Sequence, residues 1–290
     1  MTTPHRPQVV NSVAQLRATL DAVRAARKKI GLVPTMGALH EGHLSLVRAS
    51  VAQCDYTVVS IYVNPSQFAP GEDLNEYPRT LETDLDKLAA CGAQLAFVPG
   101  NDEMYHPGHA TWVEVGSVAE PLEGRCRPTF FRGVATIVLK LFNMVGADVA
   151  YFGQKDYQQA LVVQRMVEDL NVPIEIRVCP IVREPDGLAM SSRNAYLSAG
   201  GRQRSLVLWK SLCLANELVD GGERDTEIIG RKMREVIMTA EDAQIDYVAL
   251  ADPETLEPVT RIKGRTIAAV AVTIDGTRLI DNRLLEPPKE

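Results

Sequence analysis

Pro34-Thr35-Met36-Gly37-Ala38-Leu39-His40-Glu41-Gly42-His43 is the stretch whose reading decides the fold. A short apolar run, Ile30-Gly31-Leu32-Val33, precedes it and reads as a buried strand. Leu44 to Ala49 follows, with apolar residues recurring at helical spacing. Strand, Pro/Gly-containing turn and helix thus come in that order. In an open α/β sheet, this is where a strand's carboxyl end meets a helix N-terminus, and ligands bind there. Unpaired N–H groups and the helix dipole make such a terminus an anion site. His40 and His43 are three residues apart and share one face of a starting helical turn. Two imidazoles aimed at an anion pocket suggest phosphate handling. The plain alternative is a βα loop with solvated histidines. Zinc is disfavoured, because the metalloprotease motif spaces its histidines four apart.

Around this stretch, apolar runs alternate with helical ones. Val13 to Arg27 reads as an amphipathic helix with Ser12 as its N-cap and Leu16, Leu20 and Val23 on its inner face. Tyr56 to Val63 is a second buried strand, ending at the Asn64-Pro65 turn. Thr83 to Ala90 is predicted helical, stopped near Gly92. Leu95 to Val98 is a third strand, and Thr111 to Val115 alternates like a short excursion strand. An apolar helix over Val134 to Val145 leads to a fourth strand, Val149 to Phe152. Gly153 and a helix to about Leu170 follow, then a fifth strand, Ile174 to Val178. This pattern implies a Rossmann-like, doubly wound, mostly parallel sheet over residues 1–184.

Beyond Arg183-Glu184-Pro185-Asp186-Gly187 the grouping changes. Helices are expected over Ser205 to Val219 and Thr226 to Met238, and strands over Asp246 to Ala251, Thr266 to Ile274 and Arg278 to Ile280. Asp275-Gly276 is a hairpin signal. Residues 185–290 therefore read as a smaller α+β C-terminal domain.

With 290 residues, the chain is long enough for two domains. A net charge of −6 argues against a broad nucleic-acid-binding surface, although a local basic pocket is compatible with it. Cys54, Cys91, Cys126, Cys179 and Cys213 are scattered, odd in number and lack a C-x-x-C pair, as expected of reduced thiols in a cytoplasm. Met1 to Pro7 has no apolar signal core, and no uninterrupted apolar run reaches the roughly 18 residues of a membrane span. A cytoplasmic, non-membrane protein is the expectation.

Neither the G-x-x-x-x-G-K-[ST] loop nor the G-x-G-x-x-G fingerprint occurs, so a nucleotide site must be built from other strand ends. Gly153-Gln154-Lys155-Asp156 follows the fourth strand and offers close backbone approach and a point charge. Met190-Ser191-Ser192-Arg193-Asn194 offers two hydroxyls and a guanidinium to phosphate oxygens. His106-Pro107-Gly108-His109 is a second H-x-x-H, read as a solvated loop.

At this point a resemblance is plain. The segments PTMGALHEGH at 34–43, SIYVNPSQF at 60–68, EDLNEYPRT at 72–80, FGQKDYQQ at 152–159, REPDGLAMSSRNAYL at 183–197 and TRLIDN at 277–282 match in order. Together they resemble the pantothenate synthetase family, pantoate–β-alanine ligases of the adenylate-forming HxGH nucleotidyltransferase superfamily. The resemblance implies that pantoate and ATP give pantoyl adenylate and pyrophosphate, and that β-alanine then displaces AMP to form pantothenate. It implies a triphosphate neutralised by His40, His43, Lys155, Ser191, Ser192 and Arg193, with the family's proton donor at His43. Nucleotide contacts are implied near Met36, Gly37, Gly153, Gln154, Asp156, Val182 and Met190. Gln67 and Gln159 match pantoate-binding glutamines, whose amides offer both donors and acceptors. Mg²⁺ is expected on the phosphates with few protein ligands, Asp84 matches a metal-linked acidic position, and a homodimer is implied.

Some residues depart from the pattern. Phe130 stands where His is expected, Gln154 where Glu is usual, Ser66 where an apolar residue is common, and Thr83 beside Asp84 where a second acid is frequent. Glu123 to Gly133, rich in Gly, Pro and Arg, reads as a candidate lid or an exposed loop. Two other readings compete: another HxGH-type nucleotidyltransferase acting on a different small acid or phosphate, and a non-catalytic nucleotide sensor.

Overall fold

The computed structural model describes residues 5–69 and 71–288. Met1 to Pro4, the start of the segment read for a signal core, lies outside the described residues. The first elements are β1 (Gln8–Val10), α1 (Val13–Ala25), β2 (Ile30–Thr35), α2 (Glu41–Gln53) and β3 (Tyr56–Ile61). Then come α3 (Leu81–Cys91), β4 (Leu95–Phe97), α4 (Asn101–Met104), α5 (Glu123–Cys126) and α6 (Phe130–Val145). The parallel part closes with β5 (Val149–Gly153), α7 (Tyr157–Asp169) and β6 (Glu175–Cys179). The remainder is α8 (Ala199–Asp220), α9 (Thr226–Ile237), β7 (Gln244–Ala251), β8 (Thr266–Ile274) and β9 (Thr277–Leu285).

By compactness the chain forms two units. The first holds the chain up to Gly116 with Arg127–Gln154 and Gln159–Pro180; the second holds Ser117–Cys126, Lys155–Gln158 and the chain from Ile181 onward. Two short stretches thus group with the second unit rather than with their sequence neighbours. The side chains show why. Arg278 forks onto the Glu123 carboxylate with two bonds of 2.8 Å. Tyr247 Oη donates to the same carboxylate at 2.8 Å. Gln158 Nε2 donates to Val118 O and Pro121 O, and its Oε1 accepts from Glu123 N.

The first unit is a six-stranded sheet in the order β1-β4-β3-β2-β5-β6, every pair parallel. From β2 the chain winds outward through β3 and β4, then returns to place β5 on the other flank of β2. That reversal is the topological switch of a doubly wound sheet. The β2–β5 ladder pairs Gly31 with Val149 and Leu32 with Ala150 and goes no further. Ile30 O accepts from Asp148 N, and Thr35 O accepts from Tyr62 N. Backbone groups alternate along a strand, so Pro34 faces the β5 side, beyond the end of that ladder. A proline is tolerated in this central strand because no partner there needs its missing N–H.

Helix α2 lies close on β2 because Gly31 has no side chain. A Cβ there would collide with Ser50 Oγ and stand 3.0 Å from Cys54 Sγ. Ser50 Oγ and Thr57 Oγ1, both buried, share a hydrogen bond of 2.8 Å beneath that contact.

The second unit is an antiparallel sheet, β7-β8-β9, packed against α8 and α9. Leu208, Leu212, Ile229 and Met233 from the helices bury against Ala268, Val270 and Val272 of β8. Asp275 (φ 54°) and Gly276 (φ 70°) turn β8 into β9 in the left-handed conformation the hairpin signal requires.

Several boundaries differ from the sequence reading. Thr111 to Val115 forms no strand. Its alternation serves other contacts: Val113 N donates to Thr136 Oγ1, and Trp112 packs on Tyr105 and His109. Strand β1 is additional, and its three residues are too few for a period to show. Helix α6 starts at Phe130 and α8 at Ala199, both earlier than expected. In α8, Gly200 and Gly201 disguise the first turn, while Ser198 caps it by accepting from Gly201 N at 3.0 Å. The last strand runs to Leu285 rather than Ile280.

Gly31→Val is expected to lower unfolding free energy by about 1–3 kcal/mol through overpacking. Chemical denaturation reads it as a lower midpoint at constant slope, and an unchanged midpoint would mean α2 yields freely.

Candidate active site

The loop from β2 to α2 is built on backbone strain held by side chains. Gly37 (φ 84°) and Ala38 (φ 49°) are consecutive left-handed residues. Glycine adopts that conformation freely and alanine does not, so something must hold Ala38. Asp84, on the first turn of α3, does so: its Oδ2 accepts from Ala38 N at 2.9 Å and its Oδ1 from Leu39 N at 2.8 Å. Thr80 Oγ1 adds a third bond to Oδ1 at 3.2 Å, and Lys87 Nζ grips Leu39 O at 2.5 Å. Thr35 Oγ1 accepts from Gly37 N and donates to Ser60 O.

The two motif histidines close the start of α2. His40 is the N-cap, and its Nδ1 accepts from Gly42 N at 3.1 Å. His43 Nδ1 accepts from His40 N at 3.4 Å, completing a reciprocal capping box. The ring centroids are 4.1 Å apart. An imidazole nitrogen that accepts from a backbone N–H is unprotonated, so each neutral ring carries its proton on Nε2. The cap therefore turns both imidazoles into donors at the helix terminus.

Expected to bind metal, Asp84 does not fit that task. Its carboxylate is 1% exposed and committed to two backbone N–H groups and a hydroxyl. No group of three or more His, Cys, Asp or Glu able to hold a metal occurs among the described residues. Asp84 is instead the brace of the loop.

Gln67 lies on a short 3-10 turn after β3. Its Oε1 accepts from Asn64 Nδ2 at 2.9 Å. Asn64, 1% exposed, also accepts from Ser66 N, Ser66 Oγ and Tyr105 Oη. In the sequence Asn64 reads only as a turn signal, yet it aims Gln67. Arg127 donates to Gln67 O at 2.9 Å and forks onto Glu72 at 2.7 and 2.6 Å. Its guanidinium lies 3.9 Å from the Phe130 ring centroid, so the phenylalanine at the departing position is a platform for Arg127. The 123–133 stretch is thus pinned within each unit: Glu123 in the second, Arg127 and Phe130 in the first.

Gly153 ends β5, and Gln154 to Asp156 form a 3-10 turn before α7. Gln159 is half-buried and its amide makes no hydrogen bond among the described residues, in contrast to the fully bonded Gln158. Met36, Gly37, His40, His43 and Gln67 follow the carboxyl ends of β2 and β3, and Gly153 is the carboxyl-terminal residue of β5, all in the first unit.

The second unit gathers the rest. Lys155 O accepts from Asn282 Nδ2 at 2.9 Å, and Lys155 Nζ is 3.5 Å from Asp156 Oδ1. Met190 N donates to Val182 O, and Arg183 bridges Ala189, so residues 182–190 form a tight hairpin. Its tip needs Gly187 (φ 100°), where any Cβ would collide with the Trp209 ring. The hairpin delivers Ser191, which caps the 3-10 turn Ser192–Tyr196 by accepting from Arg193 N at 3.3 Å. Glu184 braces that turn through Asn194 Nδ2 and Arg202.

Comparison with known proteins follows the same architecture. The model of the Pantoate-beta-alanine ligase family matches residues 8–284. The chain belongs to the pantoate–β-alanine ligase family. It is 50% identical over 279 residues to the pantothenate synthetase of Moorella thermoacetica, covering 96% of this chain and 99% of that one. It is 51% identical over 279 residues to the pantothenate synthetase of Acetivibrio thermocellus, with the same coverage. A crystal structure of pantothenate synthetase from Thermus thermophilus superposes with a TM-score of 0.92 at 44% identity, covering 97% of this chain and all of that one. The Francisella tularensis pantoate–β-alanine ligase, crystallised with β,γ ATP and β-alanine, gives a TM-score of 0.79 at 31% identity, covering 96% and 97%. As a member of this family, the chain is a ligase.

Asp84→Asn puts a donor where one of two backbone N–H groups needs an acceptor, an unmet bond costing about 1–3 kcal/mol. Turnover is expected to fall about tenfold while the Mg²⁺ concentration for half-maximal rate stays unchanged. A shifted Mg²⁺ requirement would restore a metal role.

Proposed function

We propose that this ligase condenses pantoate with β-alanine in two steps, using ATP. In the first, a pantoate carboxylate oxygen attacks the α-phosphorus, and the bond to the bridging oxygen breaks to release pyrophosphate. In the second, the β-alanine amine attacks the acyl carbon of pantoyl adenylate. The acyl–oxygen bond to AMP breaks, and the amine gives up a proton as the amide forms. Oxide is a poor leaving group and AMP a good one, which is the reason for the first step.

The observation that carries this reading is the reciprocal cap of α2. Both imidazoles present Nε2–H at a helix N-terminus, at the switch point of the sheet, where anions are favoured. His43 and His40 donate Nε2–H hydrogen bonds to the triphosphate. His43, at the position expected of the proton donor, stabilises the charge growing on the leaving pyrophosphate through that bond while keeping its proton. Lys155, Arg193, Ser191 and Ser192 neutralise the remaining phosphate charge. Phosphoryl chemistry of this kind depends on positioning and charge stabilisation. Met36, Gly37, Gly153, Gln154, Asp156, Val182 and Met190 line the nucleotide. Gln67 and Gln159 hold pantoate; the unused amide of Gln159 and the fixed carbonyl of Gln67 support that role. The Francisella tularensis relative, crystallised with an ATP species and β-alanine, supports the nucleotide and the amine. Mg²⁺ arrives on the ATP phosphates as part of the substrate.

By this reading residues 1–184 carry the nucleotide- and pantoate-binding residues up to Val182, and residues 185–290 carry Met190 and the Ser-Ser-Arg loop. The ligase works as a cytoplasmic homodimer. The five free cysteines fit a reducing compartment, and no helix among the described residues is long and apolar enough to cross a membrane.

Incubation with ATP, Mg²⁺, pantoate and β-alanine is expected to give AMP and pantothenate in equal amounts. With ¹⁸O in the pantoate carboxylate, label must pass into AMP. Unlabelled AMP would overturn the adenylate. His43→Ala and Lys155→Ala are each expected to slow pyrophosphate release by about 100-fold or more, and unchanged turnover would refute their roles. Gln67→Ala is expected to raise the pantoate KM about tenfold with little change in the ATP KM. Equal shifts in both would remove Gln67 from the acid's site.

A further inference from the structure

β9 carries two polar residues side by side, Asp281 and Asn282, only 3% and 4% exposed. Burying adjacent polar side chains in a strand is costly unless each finds partners. Asp281 receives Arg183 in a fork, Nη1 to Oδ2 at 2.7 Å and Nη2 to Oδ1 at 2.9 Å. Asn282 donates from Nδ2 to Lys155 O at 2.9 Å. The two residues are further locked together, because Asn282 N donates to Asp281 Oδ1 at 2.7 Å.

The partners lie in different parts of the sequence. Arg183 opens the hairpin that delivers Ser191, Ser192 and Arg193. It is itself immobilised, donating to Gly187 O at 3.0 Å with its guanidinium 3.8 Å from the Trp209 ring centroid. Lys155 sits in the turn after β5. An ammonium on a four-carbon stem is flexible, so the place where the stem begins decides what it reaches. Burial pushes the Asp281 carboxyl up, while Arg183 and, more weakly, Lys155 draw it down, so the Lys155 ammonium lies within the field of this carboxylate.

The geometry points to Asp281-Asn282 as a shared mount: two positioning residues that hold the Lys155 turn and the Ser191-Ser192-Arg193 loop in one register, so that cation and loop meet the triphosphate as a preassembled set. Neither residue touches the reacting atoms. Asp281 acts through Arg183 and the hairpin, Asn282 through the Lys155 carbonyl. The mount rests on the assignment of Lys155 and the Ser-Ser-Arg loop to ATP made above. It goes further by naming what fixes their mutual spacing within the second unit. A dipeptide that merely completed the buried edge of β9 would lower stability without favouring one substrate over another.

Asn282→Ala, made alone and in a Lys155→Ala background, separates these roles. Pyrophosphate release is measured with ATP and pantoate varied in turn, together with the thermal midpoint. In the otherwise native chain, Asn282→Ala is expected to lower kcat about tenfold and raise the ATP KM severalfold, with the pantoate KM within about twofold. In the Lys155→Ala background the same change is expected to add less than about a twofold loss, since the group it positions is gone. An equal fall in both backgrounds, a parallel rise in both KM values, or unchanged kinetics would overturn the mount. A Lys155→Ala chain as active as the native one would overturn the triphosphate assignment itself and the mount with it. A crippled Lys155→Ala chain with fully additive Asn282→Ala effects would overturn the mount alone. Should Asn282→Ala not fold, Asn282→Ser, smaller yet still a donor, goes through the same cycle; a loss confined to the native background supports the mount, and an additive loss overturns it.

Discussion

The first N–H groups of a helix have no partner inside it, and at the start of α2 two are satisfied by imidazole nitrogens. Gly42 N donates to His40 Nδ1, and His40 N donates to His43 Nδ1. A serine or aspartate cap would satisfy these groups equally well. It would not leave a second ring nitrogen, protonated, at the positive end of the helix. Local structure and chemistry are thus one arrangement: the bonds that start the helix fix the tautomer, and the tautomer makes each ring a donor toward an anion.

That arrangement needs its loop in one conformation. Ala38 has a left-handed φ that a residue with a Cβ adopts only at a cost. The buried carboxylate of Asp84 supplies the compensating bonds to Ala38 and Leu39. A buried carboxylate is itself expensive unless its oxygens are met. Here both are, which is why the side chain that looked like a metal ligand holds backbone instead. Strain concentrated beside a functional site and balanced by neighbouring packing is a general pattern.

The second unit solves a related problem differently. Its functional groups lie on short turns with little regular structure of their own, and a turn is only as fixed as the residues that grip it. The Arg183 fork, the Trp209 platform, Gly187 and the Asn282 amide each grip one point of backbone or guanidinium. Glu123, bound by Arg278 and Tyr247, does the same for the stretch that passes through this unit.

What the sequence by itself determined was periodic or chemically explicit. The runs Ile30 to Val33 and Tyr56 to Val63, the caps at Ser12 and Gly92 and the Asp275-Gly276 turn were legible because each expresses a local rule of spacing or conformation. The paired histidines and the lysine and serine loops were legible as residue types suited to phosphate. Tertiary structure decided what no local rule contains. It kept Thr111 to Val115 out of any sheet, because a strand exists only where another chain segment offers it a ladder. It turned Asp84 from a candidate ligand into a brace and Asn64 from a turn residue into the partner of Gln67. It also grouped Ser117–Cys126 and Lys155–Gln158 with a unit distant in sequence. For Asp84 the deciding partners lie 45 and 46 residues away and for the regrouped stretches 124 to 155, and a hydrogen bond across such a separation leaves no periodic trace in the chain.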